Sequence, residues 1–161
     1  MLISVFLIPI MLGLLALIMP WKLLRRGILI TGALYHAVIT FFLGLSIKDA
    51  YPSGAWIGMD SQGLLFLAVT SALFLAVAIY TIGYLGRDSG RKVRDSVEGF
   101  LFMNEPEAVF ISCLLFFVGS MSLVCISRHL GLLWIAIEAT TLASAPLITF
   151  HRHHRSLEAT W

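Results

Sequence analysis

Apolar residues along this chain neither alternate nor recur on a single helical face; they fill whole blocks, and the polar residues collect in the gaps between them. Five blocks reach or approach the roughly 20 apolar residues that a helix needs to cross a bilayer. They run from about Leu2 to Met19, Ile28 to Ile47, Leu64 to Leu85, Val109 to Ile126 and Leu130 to Thr149. With no water in the hydrocarbon to pair with backbone N–H and C=O groups, segments of this length must pair them internally, as a helix does. The pattern predicts an all-α membrane protein of about five transmembrane helices, forming one membrane domain over residues 1–161.

Composition strengthens this picture. Of 161 residues, 59% are hydrophobic and only 12% charged, with a mean hydropathy of +0.93, which lies far outside the range of ordinary soluble domains. The first block has no positive residue before it and Lys22, Arg25 and Arg26 after it. That is the reverse of a secretory signal's charge order, so the block reads as an uncleaved first helix. In a five-helix arrangement Lys22, Arg25, Arg26, Arg87, Arg91, Lys92, Arg94, Arg152 and Arg155 fall on one side of the membrane, against Lys48 and Arg128 on the other. The positive-inside rule then places the N-terminus outside and the C-terminus in the cytoplasm. The net charge of +2 is thus a signal of topology, and no nucleic-acid partner is expected.

The gaps carry local signals. Tyr51-Pro52-Ser53-Gly54 is turn chemistry, Trp56 an interfacial anchor, and Asp60 with Ser61 a cap for the third helix, whose first N–H groups lack internal partners. Between Gly86 and Ala108, Val93, Val97, Phe100 and Leu101 follow helical spacing beside Arg91, Lys92 and Arg94. A short helix on the membrane surface and a solvated loop both fit them. Asn104-Glu105-Pro106-Glu107 reads as a helix start, with Asn104 as cap, Pro106 in the first turn and Glu107 reaching back. Pro9 lies inside the first helix, where a packing kink is the simplest reading.

Few residues carry chemistry. Cys113 and Cys125 share a helix about 18 Å apart along its axis, too far to pair, and no metal-binding spacing surrounds them. His36 lies within the second helix as a proton relay, a haem ligand or a packed hydrogen-bonding residue. The last is favoured, because a bis-histidine haem needs a second intramembrane histidine. His151, His153 and His154 belong to a basic tail at 150–161, read as an interfacial segment rather than a metal site. No phosphate loop, nucleophile elbow, zinc motif or dinucleotide fingerprint is present, and no cofactor or metal is expected on this chain.

Glu138 stands apart. It is a lone carboxylate near the middle of the last apolar block, where a charge costs roughly 2.5 kcal/mol or more, so such residues usually mark ion or proton pathways. The plainer alternative is a permanently protonated acid that hydrogen-bonds a neighbouring helix. Gly131, Trp134, Glu138, Thr141 and Ala145 share one face, a stripe suited to other helices or a hydrated cavity. Ser120 and Ser122 on the fourth helix supply hydroxyls that could organise water nearby. No Lys or Arg lies inside any apolar block, so a counter-charge for Glu138 must come from elsewhere.

Phe116-Phe117-Val118-Gly119-Ser120-Met121 and the run from Arg128-His129-Leu130-Gly131 through Trp134 and Glu138 to Ala139 resemble the fourth and fifth helices of the antiporter-like proton-translocating subunits. These subunits occur in respiratory complex I, in membrane-bound nickel–iron hydrogenases and formate hydrogenlyases, and in multi-subunit sodium/proton antiporters. Glu138-Ala139-Thr140-Thr141-Leu142-Ala143-Ser144-Ala145-Pro146-Leu147 is similar in flavour to the hydrogenase-4 component F type, and Asp60 with Tyr80 to Tyr84 resembles the family's third helix. The resemblance implies that Glu138 transfers protons in a relay, coupled to a lysine on later helices. It also implies that redox cofactors sit in partner subunits and that this chain does no redox chemistry itself. The family's subunits have many more helices, arranged as inverted repeats. This chain resembles their N-terminal portion, and Ser156 to Trp161 resembles a sixth helix cut before the lysine.

The expectation is therefore a truncated or split N-terminal part of a proton-translocating subunit, in the plasma membrane of a bacterium or archaeon. Its partners would be the other membrane subunits of a hydrogenase or a complex I-like NADH-quinone oxidoreductase assembly, and a chain bearing the lysine helices. The competing expectation is a non-catalytic assembly subunit or an inactive remnant. The topology is testable directly. A cysteine placed between Tyr51 and Gly58 should react with an impermeant thiol reagent added from outside, and one at Arg91 should not; the opposite pattern overturns the orientation.

Overall fold

The computed structural model describes residues 1–46, 56–88, 93–94, 101–102 and 106–150. It contains five helices: α1 (Leu2–Ile18), α2 (Lys22–Leu45), α3 (Ser61–Asp88), α4 (Glu107–Ile126) and α5 (Leu130–Ile148). Four of them, α2 to α5, are long and apolar enough to cross a membrane; α1, with 17 residues, reaches about 25 Å at 1.5 Å per residue. The predicted helices are all present, but α2 begins at Lys22 rather than Ile28, and α3 extends beyond both ends of its apolar block. Lys22, Arg25 and Arg26 therefore sit on the first turns of α2. Long basic side chains allow this, because their stems lie along apolar surface while the charged heads reach the interface.

Two expectations for the polar segments are corrected. Of the two readings for this segment, the surface helix is not found at Val93 or Leu101, where β1 (Val93–Arg94) pairs antiparallel with β2 (Leu101–Phe102), Val93 opposite Phe102; Val97 and Phe100 lie outside the described residues. Pro106 lies just outside α4 as its capping residue instead of within the first turn, and its own side chain makes no capping hydrogen bond. The Glu107 carboxylate turns to Arg26, a charge-assisted partner stronger than a backbone N–H. Asn104, the turn at 51–54 and the tail at 151–161 lie outside the described residues.

Helix α4 is the hub of the bundle and packs against each of the other four helices. Its approach to α1 is very close. A Cβ on Gly119 would come within 2.7 Å of the Ile10 side chain and 3.1 Å of the Phe6 carbonyl oxygen, and one on Gly13 within 2.6 Å of the Phe116 ring. Glycines let two backbones approach, which matters in lipid, where apolar burial by itself does not drive one helix onto another. Around this contact Ala16, Leu29, Ala33, Phe74, Ile111, Leu115 and Val118 form the main core. Val5, Leu43 and Leu67 form a smaller one.

Both membrane-facing ends are tied. At one, Arg26 Nε donates to Glu107 Oε1 at 2.7 Å, and its Nη2 donates to Glu107 Oε2 and the Leu85 carbonyl, each at 3.2 Å. This joins the start of α2, the end of α3 and the start of α4. At the other, Gly58 N–H donates to the Ile126 carbonyl at 2.9 Å and Arg128 N–H to the Trp56 carbonyl at 3.0 Å. Trp56 stacks on His129 with ring centroids 4.4 Å apart. Asp60 caps α3 as expected, its Oδ1 accepting from Gly63 N–H at 2.6 Å, and a Cβ on Gly63 would collide with the Cys125 carbonyl.

Outside these contacts the surface is apolar: Leu7, Met11, Val38, Phe41, Phe66, Leu73 and Ile135 are all exposed. The interior holds His36, Thr40, Ser71, Ser112, Ser120 and Ser122. That inversion of the soluble pattern fits a lipid surround. Gly119→Leu should lower the stability of the detergent-solubilised chain by about 1–3 kcal/mol through overpacking against α1, read as a fall in thermal denaturation midpoint. Gly83→Leu, at a position where an added Cβ meets nothing within 4 Å, should leave that midpoint nearly unchanged.

Candidate functional site

Glu138 is the ninth residue of the 19 in α5, about 12 Å from the first residue of the helix and about 15 Å from the last. Its neighbours in sequence explain why it folds there: Trp134, Ile135 and Ile137 before it and Leu142 after it keep the segment apolar on all sides. Helix α5 is one-sided. Ala136 and Thr140 are buried, while Gly131, Trp134, Glu138 and Thr141 are exposed and Ala145 is half-buried. The stripe expected from the sequence is intact, but it points away from α1 to α4. The Glu138 carboxylate has no hydrogen-bond or ionic partner among the described residues, while its backbone carbonyl accepts from Thr141 Oγ1 at 2.7 Å.

The fourth-helix hydroxyls serve other groups. Ser120 Oγ lies 2.9 Å from the Phe116 carbonyl and 3.0 Å from that of Phe117, within its own helix. Ser122 joins His36, whose Nε2 lies 2.7 Å from Ser122 Oγ. His36 is thus a packed, hydrogen-bonded residue, buried completely, with its ring edge-on to Phe74 at 6.3 Å. The direction of this bond follows from proton counting. A hydroxyl has one proton to give, and Ser122 Oγ donates it to the Val118 carbonyl at 2.7 Å. His36 Nε2 therefore carries the hydrogen and donates, and Nδ1 is left as a bare lone pair.

His129 was not singled out in the sequence. It caps α5, with Nδ1 accepting from Gly131 N–H at 3.2 Å, and its ring stacks on Trp56. Its position just before the last apolar block was the available signal, but imidazole is not among the usual capping side chains. Arg26 and Glu107 were likewise read separately, since their pairing spans three helices. Cys113 and Cys125 are free thiols. Among the described residues no three His, Cys, Asp or Glu side chains gather as they would around a metal.

Fold and site together define an all-α membrane protein with an intramembrane acid on its open side. The chain is 26% identical, over 119 residues, to a hydrogenase-4 component F homolog from Methylacidiphilum infernorum (isolate V4). The match covers 68% of this chain and 21% of that protein, so the chain spans about a fifth of the length of the relative it matches. No protein-family model matches the chain, and no solved structure does.

The internal pair carries a stability prediction. Ser122→Ala leaves the buried His36 Nε2–H without an acceptor and should cost about 1–3 kcal/mol, measured as a lower denaturation midpoint in detergent. Ser120→Ala, which removes only bonds within one helix, should cost clearly less.

Proposed function

We propose that this chain works as the N-terminal helices of an antiporter-like, proton-translocating subunit in a membrane-bound hydrogenase or NADH-quinone-oxidoreductase-like complex, with Glu138 as the acid of its relay. The observation that carries the reading is the placement of Glu138 at mid-helix on the face of α5 that the other helices leave open. Similarity to a hydrogenase-4 component F homolog supports the family side of it.

An acid relays protons only if its surroundings change during the cycle. A cation brought close favours the carboxylate, and its withdrawal favours the acid. The open face of α5 is where such a cation would approach, on a helix belonging to another part of the assembly; in the subunits this chain resembles, it is a lysine. Trp134 and Thr141 flank Glu138 on that face and would line the same contact. The redox reaction and its cofactors belong to partner subunits. The location is the plasma membrane of a bacterium or archaeon, with the N-terminus outside.

Glu138→Gln keeps the shape and hydrogen-bonding capacity of the side chain and removes its titration. In the assembled complex it should leave membrane insertion and subunit association intact and reduce proton translocation to background, measured as acidification by inverted vesicles. Unchanged translocation would exclude the relay role. Loss of assembly in the Gln variant would instead identify Glu138 as an anchor between subunits.

A further inference from the structure

One turn before Glu138 on the open face of α5, Trp134 is 72% exposed, and its indole makes no ring contact or hydrogen bond among the described residues. Another tryptophan already marks this end of the bundle: Trp56 is exposed and stacks on His129 at the start of α5. Trp134 lies deeper along the helix than that corner. Residues four apart on a helix are neighbours, about 5–6 Å apart at Cβ. Helical side chains lean toward the N-terminus, so the Glu138 side chain extends over the turn that carries Trp134. Gly131, one turn before Trp134, has no side chain to cover the indole, and a Cβ added there would meet only the His129 ring, at 3.3 Å.

We propose that Trp134 and Glu138 together form the seat for a cationic side chain on a partner helix, the carboxylate supplying opposite charge and the indole face a cation–π contact. This rests on the reading of Glu138 as a relay acid and adds Trp134 to it as a positioning residue. Charge complementarity selects the occupant. Glu138 is the only ionisable side chain on α5, and an opposite charge is the partner that offsets the removal of a carboxylate from water. Depth selects the carrier. Lipid ammonium groups stay in the headgroup region, outside the hydrocarbon that α5 crosses, whereas a lysine or arginine on a neighbouring helix carries its charge inward and pairs there with an acid.

The two contacts act at different moments. A carboxyl group attracts a cation strongly only while it is ionised, but the quadrupole of an indole is permanent, and its pull on a cation is greatest where water is excluded. Trp134 therefore keeps the cation at the site after Glu138 has taken up a proton, so that the ion pair can form again without a new approach. Ile135 and Leu142, also exposed on α5, offer the partner apolar contact and no competing charge.

The test uses the assembled complex, with tryptophan analogues placed at position 134 alone. Fluorine draws charge away from the ring face and barely alters its size, so mono-, di- and trifluorotryptophan weaken a cation–π contact in steps while preserving packing. Proton translocation by inverted vesicles should fall with each added fluorine, by about fivefold or more across the series, with subunit association unchanged. Trp134→Leu should fall at least as far; if that variant does not assemble, the fluorinated series decides. Equal rates across the series overturn the proposal and leave Trp134 as an interfacial anchor like Trp56. Glu138→Gln separates the two readings. If it abolishes translocation while the fluorinated series is flat, only the role of Trp134 falls; if it leaves translocation intact, the relay and the seat fall together.

Discussion

Lipid is as apolar as leucine, so the burial of apolar side chains that holds a soluble bundle together does little to hold one membrane helix on another. Close backbone contact has to do that work, and here it depends on glycine. Gly119 and Gly13 let α4 and α1 approach until no Cβ would fit between them, and α4 is the surface on which α5 packs, while α2 packs chiefly on α3. Dispersion between closely spaced helices is individually weak and collectively large, which is why a missing methyl group can matter more at this contact than a larger apolar side chain elsewhere.

Position along the helices is set by a different class of contact. The Arg26–Glu107 pair and its bond to Leu85 hold three helix ends at one membrane face, while Trp56, Asp60, Gly63 and His129 hold the α2–α3 and α4–α5 corners at the other. Removing charges from water offsets much of the gain from a buried ion pair, so its contribution lies more in register than in net stability. Between the two ends, the His36–Ser122 bond adds a third directional constraint within the hydrocarbon.

His36 and Glu138 therefore occupy opposite physical situations. His36 is enclosed by the bundle and oriented by it, whereas Glu138 is carried on the open side of a helix packed chiefly on α4. An enclosed group is governed by what this chain supplies, and an outward-facing one by what approaches it.

Block hydrophobicity alone determined the number of helices and their approximate spans, because the length needed to cross a bilayer and the need to pair every backbone group leave one solution for such segments. The Asp60 cap, the free cysteines and the isolation of Glu138 were legible for the same local reason: each depends on residues within a few positions. The pairing of Val93 with Phe102 was not, since helix and solvated loop were the readings that the local spacing offered. Nor could sequence order reveal that Arg26 meets Glu107, that His36 meets Ser122, or that the Glu138 stripe turns outward. Those depend on how far α1 and α4 approach and how each helix is rotated about its axis, quantities that only packing against the other helices decides.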